Sequence, residues 1–167
     1  MVERVLGVIS DTHIPTRAKK IPRKVLDQFS AVDLILHAGD VVTIDVIDEL
    51  SELAPVEAVA GNMDYPDVRS KFPEFRVLEI EGRRIGIKHD TGSYLGLSES
   101  ARWLAAENKL DVLVFGHTHR QLLEREEGRL YLNPGSPTNP IPPFFIRPSF
   151  AVLKIGEEGI EAEIITI

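Results

Sequence analysis

No cysteine occurs among the 167 residues. That absence excludes disulfides, zinc–thiolate sites and cysteine nucleophiles, and it suits the chain to a reducing interior. Long apolar runs are missing too, since none approaches membrane-spanning length. The N-terminus, "MVERVLGVISD", enters a strand-like segment with no basic region ahead of a long apolar stretch, so neither a signal peptide nor a membrane anchor is expected. A cytoplasmic location is the corresponding expectation. Basic charge is scarce: 19 Lys and Arg face 26 Asp and Glu, a net charge of −7. This argues against a protein whose main work is to grip nucleic-acid backbones. A small anionic substrate stays compatible with the balance if bound metal inverts the charge locally. There is no internal repeat, low-complexity tract or linker-like break. What is present, 43% hydrophobic residues, is enough for a sizeable core, so 1–167 is read as a single domain.

The first half alternates short apolar runs with amphipathic stretches, the pattern of βαβ units. "RVLGVIS" at 4–10, "DLILHAG" at 33–39 and "VEAVAG" at 56–61 have buried-strand length. Helices are expected near Pro22 to Phe29, with Pro22 in the first turn, and from Ile44 to Leu53 with Thr43 as N-cap. "FRVLEIEGRRIGIKHD" then reads as a β-hairpin turning at Glu81-Gly82. A helix at 98–108 opening on Ser98, a strand "DVLVFG" and four further runs ("QLLERE", "GRLYLN", "FAVLKI", "IEAEIIT") complete the chain. Parallel βαβ units feeding into antiparallel hairpins predict an α/β fold: two packed mixed sheets flanked by helices, a four-layer αββα sandwich.

The unusual polar residues gather at predicted strand ends. His13, His89, His117 and His119 lie at or just past C-terminal ends, in "SDTH", "IKHD" and "FGHTH", as do Asp11, Asp40 in "HAGD" and Asn62 in "GNMD". Open α/β sheets place ligand sites along that edge. One such His or Asp is more often a cap or turn former than a ligand. Seven together point to a shared centre. Asp-x-His and His-x-His would let alternate side chains of an extended segment face one way, and Gly61-Asn62 favours a tight corner at positive φ.

The ordered set "SDTH", "HAGD", "GNMD", "KHD", "GHTH", spread over 10–119, resembles the calcineurin-like metallophosphoesterases. Short length, "NPGS" at 133–136 and "PSFAVLKI" at 148–155 resemble most the small branch holding prokaryotic phosphodiesterases and the retromer scaffold subunit. The resemblance implies one metal on Asp11, His13 and His119 and a second on Asn62, His89 and His117, with Asp40 bridging. Asp40, Asn62 and His89 are then the catalytic residues. It also implies hydrolysis of a small phosphodiester by in-line attack of a hydroxide bridging two ions about 3.5–4 Å apart. Nitrogen and oxygen donors without thiolate suit Mn, Ni, Zn, Fe or Co better than Mg, with Mn the first choice.

Two residues depart from the family pattern. Many relatives carry a His where this chain has Met63, and that His is thought to protonate the leaving group or steady the transition state. Asp90 stands where Gly often follows the metal-binding His, as a hydrogen-bonding carboxylate near the site or a plain surface residue. His37 is read as a satisfied core group rather than a ligand. Arg17 and Asn62 are the candidate substrate contacts, a solvated loop being the other reading of Arg17. Asn133 and Ser136 either brace the "GHTH" loop or only turn the chain. Phe144 and Phe145, in the Pro-rich stretch 137–148, could line a cleft or a homodimer contact, with packing onto the sandwich as the default. Two functions of different class follow: the metal-dependent phosphoesterase, and a weakly catalytic or non-catalytic protein-binding scaffold of the same fold.

Overall fold

The apolar run that begins at Arg4 becomes β1 (Arg4–Ile9), and β2 (Leu34–His37) and β3 (Val56–Ala58) add to it in parallel. The computed structural model describes residues 2–140 and 146–167, so the expected cleft or dimer contact at Phe144 and Phe145 lies outside the described residues. The intervening helices are α1 (Arg23–Phe29) and α2 (Ile44–Ser51). Pro22 is the N-cap of α1 rather than part of its first turn. Thr43 caps α2 in position only, because its hydroxyl donates to the Ile14 carbonyl instead (3.2 Å).

A short helix that apolar spacing did not reveal, α3 (Pro66–Lys71), follows β3. It buries only Val68, too little to leave a period in the sequence. Strands β4 (Phe75–Ile80) and β5 (Arg83–Lys88) form the expected hairpin. Glu81 and Gly82 both have positive φ (48° and 73°), as a two-residue turn matching strand twist requires. Next comes α4 (Glu99–Glu107), capped by Ser98, whose Oγ accepts the Ala101 N–H. The chain ends with β6 (Val112–Phe115), β7 (Gln121–Glu126), β8 (Arg129–Pro134), β9 (Ser149–Gly156) and β10 (Gly159–Thr166).

The strands form two five-stranded sheets, ordered β10-β9-β1-β2-β3 and β4-β5-β6-β8-β7. Both are mixed: the first is parallel through β1, β2 and its edge strand β3 and antiparallel at β9 and β10, and the second has a parallel centre with an antiparallel strand at each edge. Leu6, Val8 and Leu36 of one inner face pack on Ile85, Ile87, Val112 and Val114 of the other. The outer face of the first sheet is covered by α1, α2 and α3 through Val25, Phe29, Val46, Leu50 and Val68. Ala101 and Ala105 of α4 cover the second sheet. This is the αββα sandwich expected. Two helix layers leave both parallel centres buried on each face, so β1, β2 and β6 carry near-continuous apolar runs instead of alternating ones.

Candidate metal centre

Five parallel strands, β1, β2, β3, β5 and β6, end at one edge of the sandwich, and the seven sequence-selected residues all follow those ends. The structure brings them together in two groups. Ligand atoms of Asp11, His13 and His119 lie within 4.8 Å of one another, and so do those of Asp40, His89 and His117. Each group draws on both sheets. Asn62 joins the second, its Oδ1 3.0 Å from His89 Nε2 and 3.1 Å from His117 Nδ1. Asp40 reaches both groups, with Oδ2 3.1 Å from His89 Nε2 and 3.5 Å from His13 Nε2.

Convergence does not come from extended backbone, contrary to the expectation for Asp-x-His and His-x-His. Asp11, His13, His117 and His119 have φ of 55°, 45°, 70° and 57°, and Asp40 has 59°. Alternate left-handed residues swing the chain so that side chains two apart aim inward. Such conformations cost about 1–3 kcal/mol each and persist where surrounding bonds over-determine them. Those bonds are present. Ser136 Oγ donates to the Asp11 carbonyl (2.8 Å), and Thr138 Oγ1 to that of Thr12 (2.8 Å). Asn133 Nδ2 reaches the Gly116 carbonyl and Thr118 Oγ1, so "NPGS" braces both histidine-bearing loops.

Gly61 is needed for space rather than for a positive φ. A Cβ there would stand 2.1 Å from Asp40 Oδ1, and one on Gly116 would stand 1.9 Å from Ser10 Oγ and 2.7 Å from Asp11 Oδ2. Asp64, which the sequence did not single out, ties two of these loops together. Its buried carboxylate accepts the N–H groups of Gly61 (2.7 Å), Val42 (2.7 Å) and Asp40 (3.2 Å). Burial pushes its pKa up against those three donors. The available signal was a carboxylate two residues past Asn62 in the same turn.

Electrostatics set the protonation of the cluster. Burial would raise the Asp11 carboxyl, but the His119, His13 and His89 imidazoles that face it hold it well below the usual carboxylate range. Burial also opposes ionisation of Asp40, and the His89 hydrogen bond overrides it to lower that pKa. The His89 imidazole is pushed down by burial, yet the hydrogen bond to Asp40 and the charges of Asp11 and Asp40 raise it to about 9. His119 is likewise raised, chiefly by Asp11, against its burial. His37 is the buried satisfied group expected: Thr12 Oγ1 lies 3.2 Å from Nε2, Gly39 N donates to Nδ1, and burial drives its pKa to about 3.

The donor set fits divalent cations. Asp11 Oδ1 is buried with no hydrogen-bond partner, although three imidazole Nε2 atoms, of His119, His13 and His89, stand 3.3, 3.7 and 3.8 Å away. His13 Nε2 and His119 Nε2 face each other at 3.1 Å, where two lone pairs need a shared acceptor such as a cation. His89 Nδ1 donates to the Ala38 carbonyl and His119 Nδ1 to that of Asn139, which fixes each ring with Nε2 inward. Arg17 is exposed and lines the mouth of the pocket with Met63 and Tyr94. Asp90 stays at the edge: its Oδ1 accepts the Gly92 N–H, and Oδ2 is 3.8 Å from His117 Nε2.

Two neighbouring carboxylate–imidazole clusters on the strand ends of an αββα sandwich define a metallophosphoesterase-type centre. The chain belongs to the calcineurin-like phosphoesterase superfamily, whose domain model matches residues 5–158. A probable metallophosphoesterase of Methanothermobacter thermautotrophicus is 47% identical over 161 residues, covering 96% of this chain and 91% of that one. A phosphodiesterase of Methanocaldococcus jannaschii is 30% identical, covering 78% of this chain and 82% of that protein. Among solved structures, a zinc complex of Vps29 from Entamoeba histolytica superposes with a TM-score of 0.77 at 26% identity, covering 97% of this chain and 98% of that one. Among the described residues no helix is long and apolar enough to cross a membrane.

Proposed function

We propose that this protein is a metal-dependent phosphodiesterase that hydrolyses small phosphodiesters at a centre for two divalent transition-metal ions. One observation carries the reading: two three-residue ligand groups stand side by side with the Asp40 carboxylate reaching both. Asp11, His13 and His119 would hold one ion, Asn62, His89 and His117 the other, and Asp40 both. Such a pair supplies charge stabilisation at phosphoryl oxygens and a water acidified toward a pKa of about 7. Mn is the first candidate, with Ni, Zn, Fe or Co suited to the same donors.

The remaining work falls to the chain. Asp11 and Asp40 offset only half of the charge of two divalent ions, so the loaded pocket attracts an anion despite the net charge of −7. Arg17 lines the mouth, and its guanidinium would pair with a phosphate oxygen. Asn62 contributes a neutral oxygen, which holds an ion without cancelling its charge. Met63, 45% exposed at the rim, has no proton to give a leaving group. General-acid help is worth about 10²–10⁴ in rate, so nitrophenyl esters are favoured over alkyl esters.

The test is metal analysis of the purified protein together with hydrolysis of bis-nitrophenyl and mononitrophenyl phosphate under added Mn²⁺, Ni²⁺, Zn²⁺ and Mg²⁺. Turnover is expected with a transition ion, and Asp40→Asn and His89→Ala each lower it by about 100-fold or more. No turnover with any ion sinks the enzyme reading and leaves a binding scaffold on the same fold.

A further inference from the structure

A groove of about 410 Å³ opens beside the ligand pocket, which itself measures about 180 Å³. Tyr94 belongs to the walls of both. The residue is 59% exposed, yet its ring is positioned: Oη lies 2.8 Å from His117 Nε2 and the ring centroid 5.3 Å from that imidazole. His117 turns Nδ1 toward Asn62, so its opposite edge meets Tyr94. The segment carrying Tyr94 runs between Gly92 and Gly96, both at positive φ (87° and 66°) with no crowding at the place of a Cβ. Glycine serves there for backbone direction, which carries the chain out and back and lays the ring over His117.

The groove has polar groups in its wall, Arg120, Gln121 and Glu124 among them, and an apolar part. Leu95 (79% exposed), Leu123 (40%) and Leu122 line it, with Phe115 and Ile146 beside them. Exposed apolar side chains standing together mark binding surfaces more often than scattered ones do. Met63 also lines the ligand pocket, so a phosphate between Arg17 and the imidazoles would have an aromatic ring and a thioether in its walls. A phosphate ester also has an organic group to place, and this groove shares Tyr94 with the pocket as a common wall.

We infer that the groove is the subsite for the organic group of the ester and that Tyr94 selects aromatic groups over small alkyl ones by stacking. The inference rests on the phosphoesterase reading and names the substrate class of that site. Tyr94 acts through ring contact, which an aromatic replacement preserves. An offset or edge contact to a second ring gains stabilisation beyond the area it buries, and a methyl group gains none of it.

Binding of two non-hydrolysable probes, 4-fluorophenylphosphonate and methylphosphonate, to the zinc-loaded full chain tests this by calorimetry and ¹⁹F NMR. The aryl probe is expected to bind about 10-fold tighter than the methyl probe. Tyr94→Phe keeps that ratio, Tyr94→Ala brings it to within about 2-fold, and Leu123→Ala lowers it part of the way. Because Tyr94 and Leu123 are exposed, circular dichroism of each variant is expected to match the parent. A ratio near one in the parent, binding of neither probe, or an unchanged ratio in Tyr94→Ala overturns the inference. Turnover of nitrophenyl esters without aryl discrimination fails this inference alone; discrimination between the probes without turnover of any ester fails the enzyme reading alone.

Discussion

At the scale of single residues, the proton is the first competitor for the ligand pocket. His89 has a pKa of about 9 beside Asp40 and Asp11, against an ordinary value near 6.5. A raised value means that, without metal, its contribution to stability is full below about pH 6.5 and is lost as pH rises through about 9. Metal loading must displace that proton. We therefore expect proton release on metal binding at pH 7, and affinity that climbs with pH until about 9. Calorimetry in buffers of different ionisation enthalpy reads the release directly, and its absence at pH 7 would contradict the role given to His89. The identity of such residues was legible in the sequence because each follows an apolar run, where a polar group has few reasons to be. Their backbone was not. Left-handed φ at Asp11, His13, Asp40, His117 and His119 could not be read from residue type alone: Asp and His adopt it more often than most non-glycine residues, yet still in a minority of positions.

Elements explain why the strand ends could be read and the loops between them could not. A buried parallel strand announces itself by composition, whereas a loop is held by hydrogen bonds formed only after folding. Val42 illustrates this: a β-branched residue at φ 80° is an outlier, and it is retained by the Asp64 bond to its N–H and by pairing with Ile14. Asp64→Ala leaves three buried N–H groups without that acceptor, at about 1–3 kcal/mol for each that stays unsatisfied. We expect reduced stability by urea unfolding together with weaker metal binding, because Asp40 and Gly61, the residue before Asn62, lose their common anchor. Asp64→Asn, which keeps one carbonyl acceptor, is expected to lose less. Equal stability of Asp64→Ala and the parent would show that the loops are held elsewhere.

For the whole molecule, the decisive feature is that each ligand group spans the seam between the sheets. Asp11 and His13 come from the first sheet and His119 from the second, while Asp40 faces His89 and His117 across the same seam. A ligand that binds only the native state stabilises it by mass action. The metal-loaded protein is therefore expected to melt at a higher temperature than the chelator-treated one, and Asp40→Asn shrinks the difference. Absence of any shift at saturating metal would mean that the two groups do not hold ions. The seam also orders events in time. His13 and His119 stand 106 positions apart in the chain, so their nitrogens meet only once both sheets have docked. A cation that arrives after that step is a bolt on a closed door: it slows opening and leaves the rate of closing as it was. Stopped-flow unfolding, slowed by metal while refolding keeps its pace, is the expected kinetic signature.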